Sequence, residues 1–285
     1  MKITLFSSVR WLNNTQFWLL GIVGGLIAIH LNVSWKIGEI NLLGVSVLFW
    51  LAVSSLLWRK RNSLTLESDV FSTILGAFLI AVVLLKSTSL TGSHFIRLSP
   101  FLSAVGLALL ASGFKGFKQY WQELLILFFL GMPQVLLSSL LIDISTFTAQ
   151  FAAFILWYLG FEVSRQGVYI NLPTGGVEVY PGCSGLESIA HLLGLAVLFL
   201  VMFPMDWGQK ILVPVLAIFL AFVVNGVRVA LMAALAASSK PEAFEYWHKG
   251  NGSLMFSLIA VLLFGLFCLF LIRQQEPVER DTEQI

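Results

Sequence analysis

Three side chains stand where packing alone explains them poorly: Cys183, Arg228 and His248. Cys183 lies in Pro181-Gly182-Cys183-Ser184-Gly185, at the start of an apolar run. A cysteine attacks carbonyls only as the thiolate, a form favoured at helix N-termini and beside cations. The alternative is a small buried hydrophobe, and Cys268, inside the last apolar run, is read that way. Arg228 interrupts the apolar stretch Val223–Leu231. Arginine at membrane depth costs about 2.5–3.5 kcal/mol on insertion scales, so it faces a cavity or a partner. Nine residues separate it from Ala237, about 14 Å of helix, within snorkelling reach of a wet surface. Asn225 lies one turn away on the same face, placed to orient the guanidinium or to bind a neighbouring helix. His248 stands in Tyr246-Trp247-His248-Lys249-Gly250-Asn251-Gly252 at the start of the final apolar run. A thiol, an imidazole and a guanidinium at one wet surface suit acyl transfer. The imidazole carries the proton, the thiol forms a thioester and the cation stabilises an oxyanion.

Cys183, Glu187 and His191 recur at a spacing of four, which on a continuous helix is one face. Glu187 and His191 are then expected to pair and support the site. His30, at a span end, and His94, in a loop, are weaker candidates. The chain holds no HExxH or GxSxG motif, no CxxC pair and only two cysteines. No cofactor or metal is expected. Gly182–Gly185 is too short for a phosphate loop.

The elements that position these residues are apolar. Of 285 residues 58% are hydrophobic and 11% charged, against roughly 25% charged in an ordinary soluble domain. Mean hydropathy is +0.89. A soluble globular enzyme and a disordered chain are both excluded. The net charge of +2, without a basic patch, gives no reason to expect nucleic acid as a partner. Spans need about 20 apolar residues. Phe17–Leu31, Ile40–Trp58, Val70–Leu90, Phe95–Phe114, Trp121–Ile142, Ile189–Phe203, Ile211–Ala237 and Leu254–Ile272 qualify or come close. The expectation is an all-α polytopic membrane protein of about eight transmembrane helices with a small extracytoplasmic β-hairpin.

Arg59, Lys60 and Arg61, then Lys115 and Lys118, mark cytoplasmic loops. Lys2 and Arg10 put the N-terminus inside, ahead of a retained first helix. Phe147–Leu159 is too short to cross fully, and Pro133 is expected to end the fifth span early. Both ends then lie inside, and Cys183, Arg228 and His248 reach the outer face together. Val163–Leu172 and Val177–Tyr180 are strand-like around the turn Pro173-Thr174-Gly175-Gly176, which predicts a hairpin leading into Cys183. The whole of 1–285 reads as one integral membrane domain. Its parts are N-terminal helices (17–142), an extracytoplasmic segment (143–182), helices carrying the candidate site (183–272) and a cytoplasmic tail (273–285).

Over residues 150–272 the chain resembles the exosortase/archaeosortase family of polytopic transpeptidases. Gly167–Leu172 and Gly176–Val179 resemble the hairpin entering that family's site. Cys183-Ser184-Gly185 resembles its Cys-Ser-Gly, Asn225-Gly226-Val227-Arg228 its Asn-x-x-Arg, and His248 with Gly252 its final His-x-x-x-Gly. Glu187 and the chain length resemble the cyanobacterial branch. The resemblance implies a membrane-embedded cysteine transpeptidase or protease. It implies substrates that are exported proteins with a C-terminal sorting signal: a motif such as Pro-Glu-Pro, one helix and a basic tail, called PEP-CTERM. It implies Cys183 as nucleophile, His248 as acid/base and Arg228 as oxyanion or carboxylate partner, in a bacterial plasma membrane with the site outside. Asn225, Ser184, Gly185, Glu187 and His191 would support them. The competing classes are a non-enzymatic transporter or assembly factor, with Arg228 lining a path, and a lipid acyltransferase.

Overall fold

The computed structural model describes residues 15–38, 40–88, 93–139, 143–248 and 251–282. Lys2 and Arg10, the N-terminal orientation marks, lie outside them. The chain forms two compact units, residues 1–135 and 136–285. Among the described residues six helices are long and apolar enough to cross a membrane: 16–37, 42–60, 70–87, 94–131, 207–237 and 252–274. The fourth contains two helices joined through a kink, and Leu186–Met202 is a shorter apolar helix. Counted separately these make eight, and the protein is an all-α, multi-pass membrane protein with one small sheet.

The first unit holds α1 (Thr15–Ile37), α2 (Ile40–Lys60), α3 (Val70–Ser87), α4 (Ser93–Gly116) and most of α5 (Trp121–Ser139). α3 and α4 cross at Gly76 and Gly106, where the carbonyl of Gly106 would lie 2.6 Å from a Cβ on Gly76. Small residues at a membrane crossing let backbones meet and replace a hydrophobic driving force with dispersion contact. His30, buried on α1, lies 3.1 Å from the Ser46 hydroxyl of α2 and 3.2 Å from that of Ser99 on α4. At one end Lys60 pairs with buried Glu123 at 2.7 Å and also donates to the carbonyl of Gln119. The two basic loops read as lying on one side of the membrane, after Lys60 and after Gly113, therefore meet within this unit. α5 continues through Pro133 to Ser139, which corrects the expectation that proline ends it. A membrane helix tolerates the lost bond where neighbouring groups satisfy the freed carbonyl.

The second unit is built around the sheet. α6 (Ser145–Tyr158) has 14 residues, about 21 Å of helix against a hydrocarbon core of about 30 Å. It serves as a support for the sheet. The strands β1 (Ser164–Gln166), β2 (Tyr169–Leu172) and β3 (Gly175–Glu178) form an antiparallel sheet in that order. The stretch expected as one strand, Val163–Leu172, folds back at Gly167, whose φ is +60°. Inward-facing Ile170, Leu172 and Val179 pack on Ala149, Ala152 and Leu156 of α6 and on Val229, Ala230 and Ala233 of α8 (Trp207–Ala237). Alanines on both helices leave room for the branched strand residues. The Thr174 hydroxyl donates to the carbonyl of Ala237 at 2.6 Å, fastening the hairpin tip to the end of α8. After the sheet come a short 3-10 turn (Pro181–Cys183), α7 (Leu186–Met202), α8, the short α9 (Pro241–His248) and α10 (Asn251–Thr282).

Candidate active site

The turn bearing Cys183 is held from three sides. Cys183 N–H donates to the carbonyl of Tyr180 at 2.8 Å, closing the 3-10 turn. The Ser184 hydroxyl donates to the carbonyl of Pro181 at 2.7 Å, and the Ser184 carbonyl accepts from Thr148 of α6 at 2.7 Å. Asn225 of α8 donates its amide to the carbonyl of Cys183 at 3.0 Å. Gly185 caps α7 with φ +93°, and a Cβ there would meet the Asn225 amide at 2.7 Å. Only glycine takes that left-handed conformation with its neighbour so close.

This geometry corrects the expected single helical face. Cys183 lies two residues before the Gly185 cap, and α7 begins at Leu186. The left-handed glycine turns the chain, so Cys183, Glu187 and His191 do not share one helix. Glu187 is exposed, His191 is half-buried, and both sit on α7 away from the cavity that Cys183 lines. Asn225, expected beside the guanidinium or between helices, instead secures the cysteine turn.

His248 ends α9 and faces Cys183. Its Nε2 lies 3.5 Å from Cys183 Sγ and 3.2 Å from the Tyr180 hydroxyl. Tyr180 meets the imidazole edge-on and Phe244 stacks on it at a tilt, with ring centroids 6.2 and 5.3 Å away. Arg228 reaches from α8 and donates Nη2 to the backbone carbonyl of His248 at 2.9 Å. Its buried Nε takes no partner among the described residues. The phenol of Tyr180 is held above its ordinary pKa, first by the hydrogen bond with the Cys183 thiol, then by burial and by Cys183 charge, with Arg228 opposing. Tyr180 therefore stays a neutral donor.

Cys183, Arg228, His248 and Tyr180 line one cavity of about 420 Å³. Its other walls are β3, the last turns of α8 and α9. Cys268 is buried in α10 and is not among the lining residues. Among the described residues no group of three His, Cys, Asp or Glu side chains is placed to hold a metal ion. Sequence reasoning missed Tyr180 and Thr148. Tyr180 carried a readable signal, since it closes the strand that delivers Cys183. Thr148 carried none, because α6 is distant in sequence. His30 was passed over as a span-end residue and is a buried bridge among three helices.

A profile of the transmembrane exosortase family matches residues 38–265. The chain belongs to that family. Membership makes it a membrane-embedded protein of the sorting and processing class, as a peptidase or transpeptidase family implies. The matched range contains Cys183, Arg228 and His248 of this exosortase. No curated protein and no solved structure matches the chain.

Proposed function

We propose that this exosortase is a cysteine transpeptidase or protease that cleaves the C-terminal sorting signal of exported proteins in a bacterial plasma membrane. The observation that carries the reading is the 3.5 Å approach of His248 Nε2 to Cys183 Sγ inside a cavity open to a peptide. Nε2 takes the thiol proton, and the sulfur attacks the carbonyl carbon of the scissile peptide bond. The tetrahedral intermediate collapses as the C–N bond breaks. The imidazolium returns its proton to the departing amine, which leaves on the substrate's membrane helix. The remaining acyl group is a thioester on Cys183. An amine acceptor, or water, attacks it; Nε2 removes the acceptor proton and returns it to sulfur. Arg228 holds His248 through its backbone carbonyl and offers its remaining N–H groups to the oxyanion. Tyr180, as a neutral phenol 3.2 Å from Nε2 and hydrogen-bonded with the thiol, offers its single O–H to this pair until substrate arrives. The basic loops after Lys60 and Gly113 support a cytoplasmic assignment for that side and an outer assignment for the site.

The test is a thioester trap with mass analysis of the acyl part in a strain expressing a protein with such a signal. A peptidyl group on Cys183 is the expected result. A fatty acyl group would make the protein a lipid acyltransferase. Cys183→Ala should insert normally and abolish processing, while Cys268→Ala should be silent. Normal processing by Cys183→Ala, with no acyl adduct in the wild type, would leave a transporter or assembly factor.

A further inference from the structure

We infer that the open edge of β3 is the docking strand for the substrate, which binds as an extended segment carrying an acidic side chain. Among the described residues β3 pairs only with β2, in the register Ile170 opposite Val177 and Leu172 opposite Gly175. Val179 N–H donates to the carbonyl of Val168 at 3.0 Å. In an antiparallel pair the bonded positions alternate. Gly175, Val177 and Val179 therefore turn their backbone groups to β2, and Gly176 and Glu178 turn theirs the other way. Among the described residues those outward groups have no backbone partner on another element.

The outward side is the cavity. Five consecutive residues, Gly176 to Tyr180, line it. A sheet face would present every second residue, whereas an edge presents all of them. An exposed edge of unpaired N–H and C=O groups is a ready template for another strand, and proteins use such edges to read extended peptides. This edge runs into the turn that carries Cys183, so a segment paired with it enters the reactive centre. The opposite wall holds Met232, Leu235 and Phe244, apolar partners for the outward side chains of such a segment. Charge favours an acidic one: the cavity is lined by the cations Arg228 and Lys240 and the single anion Glu178. Lys240 forms no ion pair among the described residues.

The identity of the occupant rests on the peptidase reading, so binding is measured without chemistry. The probe is a fluorescent peptide containing Pro-Glu-Pro, titrated into the full-length Cys183→Ala protein in nanodiscs. Glu178→Pro removes an N–H aimed at the cavity and no bond to β2; edge strands accept proline there. It should weaken binding about tenfold, one hydrogen bond's worth. Glu178→Ala keeps the N–H and removes an anion, so it should bind at least as well. Lys240→Ala should weaken the peptide but not its Glu→Gln counterpart. Should Glu178→Pro disturb the fold, N-methylation of the peptide's Glu, tested with the parent protein, removes the peptide N–H that would donate to an outward β3 carbonyl and so tests the same strand pairing through its reciprocal bond. Undiminished binding by both Glu178→Pro and the N-methyl peptide, or no binding by the parent, overturns the docking strand. A peptide that binds with these signatures yet never acylates intact Cys183 overturns the peptidase reading and leaves the docking strand standing.

Discussion

His248 and Cys183, 65 residues apart in sequence, bring Nε2 and Sγ to 3.5 Å. Neither is placed by its own element alone. The cysteine turn is held by Thr148 and Asn225, and the histidine is held through its carbonyl by Arg228. The pair thus depends on α6 and α8, and variants on those helices should act on the reaction without touching either atom.

Arg228→Lys separates a structural cation from a catalytic one. Lysine keeps the charge and also snorkels, but a point charge does not reproduce a fork that holds the His248 carbonyl and, on the proposed mechanism, an oxyanion. Expression and membrane insertion should stay near normal. Processing should fall by about 100–1,000-fold, the loss typical of one oxyanion donor, roughly 3–4 kcal/mol. A time course with a parallel thioester trap should locate the loss in acylation. Normal processing would return Arg228 to a structural role.

Asn225→Ala leaves the part-buried carbonyl of Cys183 without its side-chain donor, which costs about 1 kcal/mol. Gly185→Ala forces a side chain into φ +93° and against the Asn225 amide, at a cost of about 1–3 kcal/mol. The two residues touch, so the double variant should lose less than the sum of the singles. Thermal unfolding in detergent reads all three. Additive losses would show that the contact is not the restraint on the turn.

Tyr180 carries a pH prediction. The folded protein holds its phenol above the ordinary value of 10. A group whose folded pKa is raised contributes stability below its unfolded pKa and loses it as pH rises through the folded one. The neutral phenol therefore supports the site throughout the physiological range, and its contribution fades only above about pH 10. Phenolate absorbance of the parent minus Tyr180→Phe should show this tyrosine ionising above the ordinary value. Ionisation below it would refute the neutral-donor role.

Lys60→Met strands Glu123, which is 3% exposed and, among the described residues, already has one oxygen without a partner. Breaking one side of such a pair typically costs about 3–5 kcal/mol, whereas replacing both sides with apolar residues is often neutral. Lys60→Met should lower the unfolding midpoint, and Lys60→Met with Glu123→Leu should recover most of it. An equal loss in single and double variants would assign the effect to the packing of the lysine stem.

The sequence by itself determined the membrane class, most span positions, the hairpin before Cys183 and which residue types to look for in a candidate site. Apolar runs of membrane length and an arginine inside one of them have few other physical explanations, and both are local properties of the chain. The helix through Pro133 and the fold-back at Gly167 escaped that reading. A proline signals a lost bond but not whether neighbours compensate, and a glycine permits a positive φ without demanding it. The Cys183–Glu187–His191 face failed for a related reason: periodicity assumes a continuous helix, and Gly185 interrupts it. Only the tertiary structure decided which groups meet: Asn225 with the Cys183 carbonyl, Arg228 with the His248 carbonyl and Tyr180 with the imidazole. Each joins positions 20 to 68 residues apart. Such contacts are set by how α6, α8 and the sheet pack, which no local pattern encodes.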